Sequence, residues 1–185
     1  MEWKKFFKSE AFSLLFRYLL IVGVAIPNLY LFYFLLTPIT VKLSYLLIKI
    51  AYPSSVLEGN IIFIGETSVK LIKACIAGSA YYLLFFLNLS VPRIKILKRI
   101  SMVVFGFALF LIINIVRIYF LVWMYFSYGY NLFESFHKVL WYGLGSVFIV
   151  VVWFIEVKVF SIQKIPVVDD LKNLYKSSLL GKKND

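Results

Sequence analysis

The stretch SVPRIKILKRI, residues 90–100, places four basic residues and no acidic one between two long apolar runs. Its basic residues are Arg93, Lys95, Lys98 and Arg99. Short loops rich in lysine and arginine stay on the cytoplasmic side of a membrane protein. The apolar run before this loop is therefore expected to end at the cytoplasm, and the run after it to leave the cytoplasm.

The composition is that of an integral membrane protein. Hydrophobic residues make up 62% of the 185-residue chain and aromatic residues 19%, whereas soluble domains are nearer half apolar. The net charge is +11, but the basic residues cluster between apolar runs, which indicates topology signals and contact with the lipid bilayer rather than with nucleic acid. A single cysteine and a single histidine argue against a disulfide or a His-pair metal motif, and the sequence indicates no cofactor.

The apolar runs predict an all-α polytopic membrane protein with about four transmembrane helices, at roughly 20 residues per crossing. Pro27 is expected to kink the first of them. The basic N-terminus and the tail are both expected to be cytoplasmic. The prediction is one integral membrane domain over residues 1–160, with crossings at 11–36, 74–90, 100–126 and 135–160, a surface segment at 38–73 and a cytoplasmic tail at 161–185.

The surface segment is expected to lie on the outer side of the membrane. Residues 38–52 carry Lys42 and Lys49 on one helical face, which favours an amphipathic helix in the interface, with a full crossing as the alternative. The stretch PSSVLEGN is typical of a loop. The β-prone stretches on either side of Gly65 and Glu66 predict a small β-hairpin on the extracytoplasmic face.

Three unusual side chains fall on the outer side in this topology. Cys75 begins the second crossing and His137 begins the fourth, each at its outer end. Arg117 lies in the third crossing, roughly 13 Å from its outer end at 1.5 Å per residue. The topology was inferred from other residues, so this coincidence favours a common site.

An arginine inside a spanning helix costs roughly 2.5–3.5 kcal/mol on insertion scales, so Arg117 is expected to be functional or paired. Asn114 lies three residues earlier on the same helical face and is placed to brace the guanidinium. The alternative is that Arg117 extends outward to lipid headgroups.

Cys75 and His137 each have a chemical and a structural interpretation. The start of a helix and the nearby Lys70 and Lys73 favour a thiolate at Cys75; the alternative is a buried small hydrophobe. His137 suits a general acid/base, or is an interfacial histidine without a task. Glu134, one turn earlier, is placed either to orient the imidazole or to serve as an exposed capping carboxylate.

Together, a thiolate, an imidazole and a guanidinium suit acyl transfer, in which the thiolate attacks a carbonyl, the histidine moves protons and the arginine stabilises the oxyanion. Two other interpretations remain. One is a non-enzymatic membrane assembly or transport subunit, and the other is a membrane protease that only hydrolyses its substrate.

The sequence resembles the exosortase/archaeosortase family of integral membrane cysteine transpeptidases, and especially its archaeal branch. The resemblance covers roughly residues 55–160 and rests on VKLIKACIAGSA, NIVRI and ESFHKVLWYGLG. It implies that Cys75 is the nucleophile, Arg117 the oxyanion-stabilising residue and His137 the acid/base.

The resemblance also implies the partners. The substrates of such enzymes are membrane-anchored surface proteins with a tripartite C-terminal signal: a short motif, a transmembrane helix and a basic cluster. The implied reaction is cleavage outside the membrane, through a thioester, and transfer of the new C-terminus to an acceptor, a lipid in the archaeal branch. The implied location is the cell membrane, with an extracytoplasmic active site.

Overall fold

The computed structural model describes residues 10–26, 28–91, 94–140 and 145–162. Within them the chain is mostly helical, with one small antiparallel sheet. The elements are α1 (Glu10–Ala25), α2 (Tyr30–Ala51), β1 (Val56–Glu58), β2 (Ile61–Ile64), β3 (Thr67–Lys70), α3 (Lys73–Ile76), α4 (Gly78–Ser90), α5 (Ile96–Tyr128), α6 (Tyr130–Lys138) and α7 (Gly145–Val159).

Two helices in the described part of the chain are long and apolar enough to cross a membrane. They are α2, with 22 residues, and α5, with 33. The predicted crossing at 100–126 lies inside α5, whereas the described parts of α1, α4 and α7 have 16, 13 and 15 residues. The structure thus contains two candidate spans, and the count of four crossings stays a prediction.

The first apolar stretch breaks earlier than the sequence suggested. Helix α1 ends at Ala25, Asn28 and Leu29 have left-handed φ angles of 51° and 58°, and α2 then continues to Ala51. The prediction of a separate interfacial helix at 38–52 is therefore wrong, because these residues form the second part of α2. The predicted kink at Pro27 lies outside the described residues.

Helix α2 runs beside α5 in the same direction. The Phe32 ring lies 6.0 Å from that of Phe107, and the Tyr52 ring lies 5.1 Å from that of Phe126, so contacts advance in step along the two segments. Every fourth side chain of α2 is buried: Phe32, Leu36, Thr40, Ser44 and Ile48. This stripe, which an interfacial orientation would leave uncovered, explains why the segment packs on the helical core.

The surface sheet has three antiparallel strands in the order β1-β2-β3. The predicted hairpin is confirmed, since β2 and β3 are joined at Gly65 and Glu66. Strand β1 extends it, within a stretch that the sequence analysis took as loop. Alternate residues Ile62 and Ile64 are buried in the helical core, as expected for one covered face of a small sheet.

Hydrogen bonds from polar side chains join the helices at the end of the bundle away from the sheet. Asn88 of α4 donates hydrogen bonds of 3.2 and 3.0 Å to the two carboxylate oxygens of Glu156 in α7, and both residues are fully buried. Gly106 of α5 leaves the necessary room, because a Cβ there would overlap this carboxylate. Arg17 and Arg99 both donate to the carbonyl of Val91, at 2.9 and 2.8 Å. Arg99, predicted as a topology signal, therefore also caps the end of α4.

Candidate active site

Cys75 lies on a sharp break in the backbone. The predicted crossing at 74–90 is two helices, because Ala77 adopts the left-handed conformation (φ 58°, ψ 39°) between the single turn of α3 and the start of α4. Gly78 permits this break, since a Cβ there would lie 2.7 Å from the Tyr33 ring. The break removes the Cys75 carbonyl from the regular helical ladder and leaves it available to other donors.

Two side chains of α5 converge on that carbonyl. Asn114 Nδ2 donates to the Cys75 oxygen at 2.9 Å, and Arg117 Nη2 approaches the same oxygen at 3.5 Å. Asn114 is only 2% exposed, and Cys75 itself is half-buried. The structure therefore brings Cys75, Asn114 and Arg117 together, and Asn114, which was predicted to brace the guanidinium, donates to the Cys75 carbonyl instead.

Helix α6 returns toward this cluster along the end of α5. The Phe133 ring lies 5.7 Å from that of Tyr125, and the Phe136 ring lies 6.1 Å from that of Phe120. Helix α6 therefore runs antiparallel to the end of α5. This direction carries His137, which stacks on Phe133 at 5.5 Å, toward the level of Arg117.

The helical position of His137 differs from the predicted one. Instead of lying in the first turn of a helix, it occupies the last turn of the nine-residue helix α6, and the crossing at 135–160 stays a prediction. After Lys138 the helix continues as a π-helical turn at residues 139–140, and Val139 keeps a right-handed helical conformation. Residues 141–144, which the predicted crossing included, lie outside the described part.

The electrostatic environment favours neutral His137. Partial burial and, second, the positive charge of Arg117 lower the pKa of His137 from its ordinary value of 6.5. A neutral imidazole is the form that accepts a proton from a thiol or from an incoming nucleophile.

Glu134 makes a contact away from the imidazole. Its carboxylate oxygen lies 2.8 Å from Lys138 Nζ, and both side chains are exposed. Exposed pairs of this i,i+4 kind contribute about 0.3–0.5 kcal/mol. This contact matches the exposed-carboxylate alternative, and an orienting role for Glu134 stays a prediction.

A cavity of about 230 Å³ lies between α4, α5 and α7, directly beside Asn114 and Arg117. Small residues at the starts of α4 and α7 form part of its wall, and larger apolar side chains form the rest. These small residues were not predicted to belong to the site, although the strings AGSA at 77–80 and GLGS at 143–146 are a recognisable signal for close packing in membranes. Among the described residues, no group of three or more His, Cys, Asp or Glu side chains is placed to hold a metal ion.

The pH dependence of activity tests the environment of His137. If neutral His137 is the proton acceptor, activity is lost as pH falls through its pKa, and the acid limb of the profile is expected below pH 6.5. The measurement is the rate of turnover between about pH 5 and 8, the range in which histidine titrates. An acid limb centred above pH 6.5 would contradict the lowered pKa.

Comparison with known proteins gives one match. A family model described as Transmembrane exosortase (Exosortase_EpsH) matches residues 6–155. This range contains Cys75, Asn114, Arg117 and His137. No curated protein and no solved structure gives a significant match.

Proposed function

The chain belongs to the transmembrane exosortase family, and on that premise we propose that it is an archaeosortase-like cysteine transpeptidase. Its proposed substrates are membrane-anchored surface proteins that carry a C-terminal motif, a transmembrane helix and a basic cluster. The family membership supports membrane transpeptidation of sorting signals in general. The residue roles, the substrate and the acceptor are our proposal.

The proposed reaction has two steps. His137 removes the proton from Cys75, and the thiolate attacks the carbonyl carbon of the scissile peptide bond. The C–N bond breaks as His137 returns the proton to the leaving amine, and a thioester remains. The acceptor then loses its proton to His137 and attacks the thioester carbon, the C–S bond breaks, and His137 returns this proton to the Cys75 sulfur to restore the thiol. Arg117 stabilises the negative oxygen in both steps.

The convergence of Asn114 and Arg117 on the carbonyl of Cys75 carries this proposal. These contacts hold the cysteine segment against the only helix that supplies an arginine at that depth in the described chain. His137 is directed to the same level by the return of α6, and the charge of Arg117 acts on it. Contact between Arg117 and the Cys75 segment, together with an effect of the Arg117 charge on His137, supports the proposal that the three residues act in one reaction.

The membrane setting supports the proposed substrate. Asn114 and Arg117 lie in the outer part of α5 if the basic loop at its start is cytoplasmic. The site would then face the junction between a substrate's extracytoplasmic motif and its transmembrane helix. The acceptor that we propose is a lipid, as the resemblance to the archaeal branch implies.

Loss of the thiol is the decisive test. Cys75→Ala, Arg117→Ala and His137→Ala are each co-expressed with a reporter carrying a tripartite tail, and tail removal is followed by gel shift. All three changes are expected to reduce processing to background. Ser135→Ala, on the exposed side of α6, is the control and is expected to process normally.

The mass of the product then separates transfer from hydrolysis. A transferred product carries the acceptor at its new C-terminus, whereas a hydrolysed product ends in a free carboxylate. Processing that persists in Cys75→Ala would refute the catalytic role. A free carboxylate as the only product would support the hydrolytic protease instead.

A further inference from the structure

The cavity beside Asn114 and Arg117 is lined by these two residues, by two serines and by small and apolar side chains. Asn114 Oδ1 and Arg117 Nε are both buried and have no hydrogen-bond partner among the described residues. The apolar side chains of the lining include Leu83, Phe110 and Ile149. Since Phe110 precedes Arg117 by seven residues, the lining extends roughly 10 Å along α5 at 1.5 Å per residue.

The two unpartnered polar atoms belong to residues that line the cavity, and they have opposite hydrogen-bonding character. Asn114 Oδ1 is an acceptor, because Asn114 Nδ2 is committed as a donor to the Cys75 carbonyl, and Arg117 Nε is a donor. A buried polar group left without a partner is energetically unfavourable. A peptide group offers both complements, one N–H and one C=O, whereas a hydrocarbon chain offers neither.

The volume of the cavity limits what enters it. At about 230 Å³ it equals roughly seven or eight waters at about 30 Å³ each. This space fits one leucyl or benzyl side chain, and it is too small for a helix, which is about 10–12 Å in diameter with its side chains. Ala80 reaches the cavity from α4, so its side chain helps to set the remaining space.

From the volume, the apolar lining and the two unpartnered polar atoms we infer that this cavity is the specificity pocket for one bulky apolar side chain of the substrate, next to the bond that Cys75 attacks. Asn114 Oδ1 accepts a hydrogen bond from the backbone N–H of the bound peptide, and Arg117 Nε donates to one of its carbonyls. This inference rests on the proposed function and adds the chemical class that the site selects.

Filling the cavity tests the inference. The full chain is co-expressed with membrane-anchored reporters in which the residues just outside the transmembrane helix are randomised, and the cleaved reporters are sequenced. The wild-type protein is expected to select large apolar residues at one position. Ala80→Leu narrows the cavity and is expected to change the selected residue to a small one. Discrimination against large residues should rise by about 10–200-fold, the usual effect of changing the volume of an apolar pocket.

Ala108→Leu is the matched control, because Ala108 is an exposed residue of α5 and does not line the cavity. Its selection profile is expected to equal that of the wild type. Leu83→Ala, at a residue that is 39% exposed, enlarges the cavity with little risk to folding and is expected to admit larger residues. This second variant keeps the inference testable if Ala80→Leu does not fold.

The outcomes separate the inference from the proposed function. Normal cleavage with unchanged profiles in both Ala80→Leu and Leu83→Ala would overturn the pocket and leave the transpeptidase standing. A change in the attached or co-purified lipid, with an unchanged residue preference, would assign the cavity to an acyl chain and overturn the inference. If the wild-type protein cleaves no reporter, both proposals fall.

Discussion

Arg117→Lys is expected to lower the processing of a tailed reporter by about 10²–10³-fold, which is the usual effect of losing one oxyanion donor. The substitution keeps the positive charge but replaces a planar fork of donors by a single ammonium group. In the structure, Nη2 approaches the Cys75 carbonyl while Nε remains buried and unpaired on another side. The single ammonium group of a lysine cannot donate hydrogen bonds at both of these positions at once.

The measurement is the rate of tail removal per mole of folded protein, with the amount of thioester trapped as a second readout. Arg99→Lys, at the opposite end of the same helix, is the matched control. It removes a cap from the end of α4 and is expected to reduce thermal stability more than the rate per folded molecule. A rate for Arg117→Lys close to the wild-type rate would show that charge alone is sufficient.

Ala77→Val is expected to lower processing by about 10²-fold, the cost associated with a misplacement of about 1 Å at a reacting centre. Ala77 has φ 58°, and a left-handed residue other than glycine costs roughly 1–2 kcal/mol. A branched side chain fits that conformation much less well. The chain should therefore move toward a continuous helix, which draws Cys75 away from Asn114 and Arg117.

Ala77→Gly is the informative partner of this variant, since glycine adopts the left-handed conformation without strain. It is expected to retain processing and to raise the temperature of unfolding. Ala108→Val, on the exposed side of a regular helix, controls for the added bulk. A fully active Ala77→Val would mean that the backbone break is not needed for the reaction.

The proximity of Cys75 and Arg117 could be predicted from the sequence because it depends on only two simple rules. A basic loop orients the helices on either side of it, and residue counts then give the depth of each side chain. The family resemblance is confirmed by the matching family model, while the roles of the residues and the archaeal branch remain proposals.

The break at Ala77 was beyond prediction because alanine normally favours a regular helix. Its left-handed conformation depends on groups that are distant in sequence. The Tyr33 ring packs against Gly78, and Asn114 and Arg117 donate to the Cys75 carbonyl. The position of α2 was missed for a related reason. Lys42 and Lys49 suggested a polar face, whereas the buried stripe at every fourth residue depends on the presence of α5.

The buried carboxylate of Glu156 has a consequence for biogenesis. Helix α7 is synthesised after α4 and α5, which supply Asn88 and the space at Gly106. A charged residue that faces lipid alone costs up to about 2.5–3.5 kcal/mol, depending on depth. If α7 crosses the membrane, its release from the insertion machinery is therefore favoured once the earlier helices have assembled, and α7 is the last of the described helices to join the bundle.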